Sequence, residues 1–251
     1  MAQQPTTTTE WISLGEGYDA YAAVPSWRSP AGVVIVAPEL FGITADIREA
    51  AERLAAEGYA AVAPDFHWRS EPRAEIPYDD AGRARGFELL NRMTRDDLLA
   101  DIETAQVAAV ARYAPGHASA IVGFSLGGHF AVLAATQIPF ALAVTFYGGW
   151  MVRGGIPVAE PHPPLADSRL IAANGTYVLG FSGDRDHVVP ADEAREIERL
   201  LADAGVEHDM VVYPGVEHGF FCAGRPASYD EKAAADAWSR LLGALREHVG
   251  R

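Results

Sequence analysis

Short apolar runs rich in valine and isoleucine alternate along this chain with longer stretches whose apolar residues repeat at helical spacing. Val33–Ala37 is one such run, and it is continuous enough for a strand buried on both faces. In the stretch that follows, Ile47 and Leu54 fall on one helix face, and Gly58 marks the end. Strands joined through helices lie parallel, so the alternation predicts an α/β fold with a mostly parallel central sheet and helices on both faces.

The same pattern continues to the end of the chain. Trp11–Leu14 and Tyr18–Val24, joined around Gly15–Gly17, predict an opening antiparallel hairpin. Further strands are predicted at Tyr59–Ala63, Ala120–Gly123, Ala141–Phe146, Thr176–Phe181 and His208–Val212. We expect residues 1–9 to be a disordered tail and residues 10–251 to form a single domain, because no internal repeat or linker interrupts the pattern.

Composition excludes several classes of protein. The chain has 251 residues and a formal net charge of −14, which disfavours binding to nucleic acids and to anionic membrane surfaces. Its one cysteine, Cys222, rules out an internal disulfide framework. No run approaches the roughly 20 apolar residues that span a bilayer, and the N-terminus lacks the pattern of a signal peptide. A cytoplasmic protein is therefore expected.

The run Gly123–Gly128 (Gly-Phe-Ser-Leu-Gly-Gly) follows an apolar strand and opens an alanine-rich helix. A strand–turn–helix of this kind forms a nucleophile elbow, in which small flanking residues let the chain reverse and expose the hydroxyl of Ser125. The backbone N–H groups at the helix N-terminus, including that of Leu126, can then stabilise an oxyanion. The alternative is that these glycines only form a tight strand-to-helix turn that has no catalytic role.

A serine nucleophile needs a histidine base and a carboxylate that orients it, in the chain order serine, acid, histidine. His218 follows the predicted strand that ends near Val212, and it is the only histidine so placed. Asp184 and Asp186 both follow the strand Thr176–Phe181, and spacing alone does not separate them. The sequence thus predicts a triad of Ser125, His218 and one of these two aspartates.

Further candidates surround this triad. Leu40 follows Val33–Ala37, where the second oxyanion donor arises in such folds, and Glu39 beside it could hydrogen-bond Ser125 in the resting state. A partly apolar substrate pocket is predicted from residues near the strand ends, namely Phe41, Phe124, Tyr147, Trp150, His187 and Phe220. No motif for a metal or a cofactor is present, and none is expected.

These motifs, in this order, resemble the dienelactone hydrolase family of α/β-hydrolases from about Val33 to the final helix. The resemblance rests on Glu39–Gly42, Gly58–Asp65, Gly123–Gly128, Gly183–Pro190 and His218–Phe220. It implies the α/β-hydrolase fold, and the absence of a long insertion after Phe146 predicts no large lid domain. It further implies Asp186 as the triad acid, the N–H groups of Leu40 and Leu126 as the oxyanion hole, and Glu39 as an active-site carboxylate.

The sequence departs from the family's best-known members at two positions. Those enzymes use a cysteine nucleophile, whereas this chain has Ser125. They also bind a carboxylated lactone with arginines, and four residues after His218, where one is expected, this chain has Cys222. Four other arginines could reach the pocket, namely Arg69, Arg83, Arg85 and Arg225.

The predicted function is a cofactor-free serine hydrolase that cleaves a small ester, lactone or thioester through an acyl-enzyme. Its only expected partner is that substrate, and it is expected to be a monomer or a homodimer. One alternative is an acyltransferase or lactone-forming enzyme with the same triad. Another is a protein on a hydrolase fold that binds its ligand without turnover.

Overall fold

The structure is a computed structural model, and it describes residues 6–250. Within these residues the chain forms the strands β1 (Thr7–Gly15), β2 (Tyr18–Pro25), β3 (Val33–Ala37), β4 (Ala60–Pro64), β5 (Ser119–Phe124), β6 (Leu142–Phe146), β7 (Tyr177–Gly183) and β8 (His208–Tyr213). The α-helices are α1 (Ala45–Ala56), α2 (Asp80–Leu90), α3 (Arg95–Tyr113), α4 (Leu126–Ala135), α5 (Ser168–Ala173), α6 (Ala191–Asp203) and α7 (Glu231–His248).

All these strands belong to one sheet with the order β1-β2-β4-β3-β5-β6-β7-β8. The pairs β1–β2 and β2–β4 are antiparallel, and every later neighbour pair is parallel. In the centre, Ala37 at the end of β3 lies opposite Gly123 of β5, and Thr145 of β6 lies opposite Gly123 on the other side. The α/β fold with a mostly parallel sheet is therefore confirmed.

The helices cover both faces of the sheet, as predicted. Ile47 of α1 and Trp238 of α7 belong to the core on one face. Leu98 of α3, Phe130 of α4 and Ile197 of α6 belong to the core on the other. Because β3, β4, β5 and β6 are buried along their whole length, each of them contributes side chains to both cores.

The N-terminal strand begins earlier than expected. Residues 1–5 of the predicted tail lie outside the described residues, but Thr7–Thr9 are part of β1, so the prediction of a disordered tail is wrong for them. Thr7 lies opposite Pro25 and Thr9 opposite Ala23 in the antiparallel pair with β2. A run of threonines suits an exposed edge strand, because a β-branched side chain favours extended backbone without needing burial.

The segment between β6 and β7 contains no separate lid. Among its residues, Pro157–Ala159 and Pro164–Asp167 form short 3-10 helices, and α5 has six residues. Over residues 6–250, no helix combines the length and the apolar character needed to cross a membrane. The carboxyl ends of the parallel strands consequently meet at one open edge of the sheet, and the loops that carry the candidate site residues lie there.

Candidate active site

Ser125 sits in a strained turn between β5 and α4. Its φ of 51° and ψ of −112° lie in a backbone region that residues other than glycine rarely adopt. Its N–H donates a hydrogen bond of 2.9 Å to the carbonyl oxygen of Phe146. The turn is possible because its neighbours are small. A Cβ at Gly123 would overlap the backbone of Gly127, and a Cβ at Gly127 would overlap the carbonyl group of Ala37. The strand, the strained turn and the helix together have the backbone geometry of a nucleophile elbow.

Ser125, His218 and Asp186 form a continuous hydrogen-bonded chain. The Ser125 Oγ lies 2.8 Å from Nε2 of His218, and Nδ1 of His218 lies 2.9 Å and 3.1 Å from the two carboxylate oxygens of Asp186. All three residues are buried. A carboxylate can only accept, so Nδ1 carries the hydrogen and Nε2 is left to accept the proton of the serine hydroxyl. This arrangement of groups can activate a serine hydroxyl as a nucleophile.

The two aspartates after β7 have different surroundings. Asp186 is buried, and besides His218 it accepts hydrogen bonds from the N–H groups of Val188 (2.7 Å) and Val189 (2.9 Å). Asp184 is exposed and accepts a hydrogen bond of 2.6 Å from the N–H of Gly215. Asp184 therefore ties two loops together, while Asp186 is the one in contact with the imidazole.

Two residues that line the cleft beside Ser125 have backbone N–H groups without an acceptor among the described residues. The N–H of Leu40 donates to no acceptor among residues 6–250, and the N–H of Leu126 is in the first turn of α4, where a helix supplies no acceptor. Leu40 and Leu126 both line the cleft beside Ser125. Gly127 packs α4 directly against the backbone of Ala37, which fixes the distance between the two donors. The pair has the composition of an oxyanion hole.

The sequence suggested a hydrogen bond between Glu39 and Ser125, but the structure pairs Glu39 with Arg225 instead. Its carboxylate is buried, with the side chain 1% exposed, and Nη1 of Arg225 lies 3.4 Å and 3.5 Å from its two oxygens. A buried carboxylate gains more from a guanidinium than from a neutral hydroxyl, and the hydroxyl of Ser125 is already bound to His218. The expected resting-state bond between Glu39 and Ser125 is therefore replaced by an ion pair.

The pocket residues proposed from the sequence divide into two groups. Phe41, Trp150 and His187 line the cleft around Ser125, which has a volume of about 80 Å³. Phe124, Tyr147 and Phe220 are almost completely buried and do not line it, so those three predictions are wrong. The reason is that their side chains enter the core under α1 and α7, on the far side of the turns that carry the polar groups.

Two of the buried aromatic residues still pack around the His218 imidazole, one directly and one through its neighbour. The Tyr147 ring meets the His218 imidazole edge to face, with 5.0 Å between ring centroids, and Phe220 packs against Tyr147. The Tyr147 hydroxyl lies 3.6 Å from Sγ of Cys222, which is buried. Burial, together with the negative charge of Glu39, raises the pKa of the Cys222 thiol, so this cysteine is a protonated packing residue.

The sequence alone did not identify Phe87 and Val188 as part of the cleft, and it left Arg83 and Arg225 among four possibilities. The cleft is lined by all four of these residues. Arg69 and Arg85, the other two arginines considered, instead bind Asp101 and Glu71. Arg83 is exposed on α2, with its guanidinium 6.0 Å from the Phe87 ring centre and no carboxylate within ion-pair distance among the described residues.

His129 follows Ser125 by one helical turn but faces away from the chemistry. Its ring is fully buried, and Nδ1 donates a hydrogen bond of 3.2 Å to the carbonyl oxygen of Gly149. Burial lowers its pKa to about 4. This contact holds α4 to the turn before Trp150, so His129 is a packing residue.

A larger cavity lies at the other end of the sheet. It has a volume of about 650 Å³ and is lined by Val107, Val110, Phe140 and other residues near the amino ends of β5 and β6. No triad residue or oxyanion donor contributes to it. The largest volume therefore does not coincide with the cleft that contains the hydrogen-bonded serine.

Comparison with known proteins identifies the family and agrees with the fold. A sequence model of the dienelactone hydrolase family matches residues 18–249. A Synechocystis sp. protein described as "Putative carboxymethylenebutenolidase" is 34% identical over 222 residues, covering 88% of each chain. One from Escherichia coli with the same description is 31% identical, covering 95% of this chain and 86% of its own. The crystal structure of a "Putative Dienelactone Hydrolase" from Klebsiella pneumoniae superposes with a TM-score of 0.86 at 30% identity, covering 96% of this chain and 99% of that one.

Proposed function

The chain belongs to the dienelactone hydrolase family, and we propose that it is a cofactor-free serine hydrolase that cleaves a small ester or lactone through an acyl-enzyme on Ser125. The observation that carries this proposal is the continuous chain of hydrogen bonds from Ser125 through His218 to Asp186. The unpaired N–H groups of Leu40 and Leu126 beside it supply the second requirement for acyl transfer, a site for the oxyanion.

The proposed reaction begins when Ser125 Oγ bonds to the acyl carbon while its proton moves to Nε2 of His218. The carbonyl π electrons move onto oxygen, and the resulting oxyanion is bound by the N–H groups of Leu40 and Leu126. Asp186 stabilises the imidazolium that forms. As the tetrahedral intermediate collapses, the bond to the leaving alkoxide breaks, and Nε2 returns its proton to that oxygen.

Water completes the cycle by the same route. His218 removes a proton from water, the hydroxide oxygen bonds to the acyl carbon, and the second tetrahedral intermediate expels Ser125 Oγ, which regains its proton. The products are a carboxylic acid and an alcohol, or a single hydroxy acid when the substrate is a lactone. A serine hydroxyl has a much higher pKa than a thiol, so this enzyme depends on base catalysis by His218 where a cysteine enzyme can use a preformed thiolate.

The cleft favours a small substrate that carries a negative charge. The segment between β6 and β7 forms no lid domain that could enclose a long acyl chain, and Trp150 and Phe87 form an apolar wall of the cleft. Arg83 and Arg225 both line the cleft. The charge of Arg225 is matched by Glu39, whereas Arg83 has no carboxylate partner among the described residues. A carboxylate on the substrate would supply that partner. We therefore propose a carboxylated ester or lactone as the substrate class.

The proposal is tested with short-chain p-nitrophenyl esters and the variant Ser125→Ala. We expect multiple turnovers by the wild type, an increase in intact mass equal to one acyl group after rapid quenching, and a loss of kcat of at least about 10³-fold in the variant. Acylation of Ser125 without turnover would instead indicate acyl transfer or ligand capture. A folded wild type that is never acylated by esters, lactones or a fluorophosphonate would refute Ser125 as nucleophile.

A further inference from the structure

The turn that carries the Leu40 N–H is held from outside by the segment between β4 and the end of α2. The N–H of Ile76 donates a hydrogen bond of 2.9 Å to the carbonyl oxygen of Phe41, and Gly42 pairs with Glu75 in an isolated β-bridge. Gly86 of α2 lies so close that a Cβ there would be 2.6 Å from Leu40 Cγ and 3.0 Å from the Leu40 carbonyl oxygen. The orientation of this turn therefore depends on residues that do not line the cleft.

His67 makes the remaining contact to that turn. Its ring is buried, and Nε2 lies 3.4 Å from the carbonyl oxygen of Leu40, while Nδ1 has no hydrogen-bond partner. A carbonyl oxygen can only accept, so Nε2 carries the hydrogen and donates it. Burial lowers the pKa of His67, which keeps the ring neutral at neutral pH. His67 is absent from the residues that line the catalytic cleft.

We propose that His67 is a positioning residue for the oxyanion hole, which it orients by holding the Leu40 carbonyl through Nε2–H. The inference rests on the proposed function, since it assigns His67 a role in the same acyl transfer. The carbonyl and the N–H of Leu40 belong to the two peptide groups that flank its Cα. Fixing the carbonyl limits the rotation that would turn the N–H away from the developing oxyanion. A shift of the donor by a fraction of an ångström weakens only the transition state.

Two substitutions separate positioning from packing. In His67→Gln the side-chain N–H₂ can occupy the place of Nε2, whereas in His67→Asn it falls near the place of Nδ1 and cannot reach the Leu40 carbonyl. We expect kcat to fall about tenfold in His67→Asn with KM within about twofold, and most of kcat to be retained in His67→Gln. Equal kcat values in the two variants, or a change confined to Tm, would overturn the proposal.

Inhibition by an analogue of the tetrahedral intermediate provides a second measurement. An alkylboronic acid that adds to Ser125 places an oxygen in the oxyanion hole, so its inhibition constant should rise about tenfold in His67→Asn and little in His67→Gln. If His67→Asn does not fold, Gly86→Ala perturbs the same turn, because its Cβ would lie 2.6 Å from Leu40 Cγ and 3.0 Å from the Leu40 carbonyl oxygen. It should lower kcat and boronate affinity together while KM stays within about twofold, and unchanged kcat would overturn the proposal.

The tautomer of His67 can be measured without any substrate. Long-range ¹H–¹⁵N spectra of the wild type should show the His67 ring protonated at Nε2 at neutral pH, and an Nδ1–H ring would overturn the inference whatever the activity. The experiments also distinguish a failure of the proposed function from a failure of the role proposed for His67. A wild type that is never acylated refutes the proposed function, whereas an active wild type with unaffected His67 variants refutes only the role of His67.

Discussion

At the scale of single residues, the carboxylate of Asp186 is shared between the His218 imidazole and the N–H groups of Val188 and Val189. Asp186→Asn keeps the size of the side chain but places an N–H₂ group opposite Nδ1. The imidazole then favours the tautomer with hydrogen on Nε2, which cannot accept the proton of Ser125. We expect kcat/KM for a p-nitrophenyl ester to fall about 10³- to 10⁴-fold with little change in KM.

Asp184→Asn is the matched control for this prediction. Asp184 lies two residues away, but its carboxylate is exposed and accepts from Gly215 N–H rather than from the base. Its variant should retain kcat/KM within about threefold. A large loss in Asp184→Asn and a small one in Asp186→Asn would reverse the assignment of the triad acid.

His129 makes the stability of the protein depend on pH. Burial lowers its pKa from 6.5 to about 4, so the unfolded state binds a proton more readily than the folded state between those values. The contribution of His129 is therefore complete above pH 6.5 and is lost as the pH falls towards 4. In His129→Asn the amide can still donate to the Gly149 carbonyl but does not titrate.

We expect the free energy of unfolding of the wild type to fall by roughly 2–3 kcal/mol more than that of His129→Asn between pH 7 and pH 4.5. Urea denaturation at the two pH values measures this difference, and the other buried carboxyl and histidine groups cancel because both proteins contain them. Equal losses in the two proteins would show that His129 is not a source of the pH dependence.

At the scale of elements, the position of α4 depends on the absence of a side chain at Gly127. A Cβ there would overlap the carbonyl groups of Ala37 and Pro38, at the end of β3. We expect Gly127→Ala to lower the free energy of unfolding by about 2–3 kcal/mol and kcat/KM by at least about tenfold, because α4 carries Ser125 and one oxyanion donor away from the other. Chemical denaturation and ester hydrolysis measure the two effects.

Gly243 of α7 provides the control, because nothing lies within 4 Å of a Cβ built there. Gly243→Ala should raise the free energy of unfolding by about 0.5–1 kcal/mol through helix propensity and leave kcat/KM unchanged. If Gly127→Ala behaved in the same way, the close approach of α4 to β3 would not be what fixes the site.

The elements also show how far the sequence predicts this molecule. Val33–Ala37 and the central strands β4, β5 and β6 are predictable because each is a mostly apolar run that is buried along its whole length. The helix α2 is hard to predict from the sequence, since Gly82 and Gly86 lower its helix propensity. Those glycines are required by tertiary contacts with Pro77 and Leu40, which no local pattern reveals.

The site residues also divide into those that the sequence predicts and those that only the tertiary structure reveals. Ser125 and His218 are predictable because the loops after parallel strands meet at one edge of the sheet. The wrong pocket residues, such as Phe124, are neighbours in sequence of reactive groups, but adjacent residues at a strand end point to opposite faces. Phe87 reaches the cleft from α2, so it could be found only once the path of that helix was known. The same path separates Arg83 from Arg69 and Arg85, which the sequence left as equal candidates.

At the scale of the whole molecule, a formal net charge of −14 would repel an anionic substrate, and the positive charge at the cleft opposes that field locally. We expect Arg83→Ala to raise KM about five- to tenfold for an ester with a carboxylate, while KM for a neutral ester of the same size stays within about twofold. Steady-state kinetics with the two esters measures this difference.

Arg246→Ala serves as the control for charge. It removes one positive charge from the exposed face near the end of α7, so the net charge changes equally in both variants. KM for the anionic ester should stay within about twofold of the wild type. Equal effects of the two substitutions would attribute the change to the overall field and would count against a carboxylate subsite at Arg83.

The bond between Ser125 and His218 joins residues 93 positions apart, and the one between His218 and Asp186 spans 32. Between them β5, β6, β7 and β8 must all be paired in register. During refolding, catalytic activity should therefore return as one of the last observable signals, after helical circular dichroism has recovered. An esterase assay on such a chain measures the completion of its sheet, so a partly folded intermediate would be silent in it.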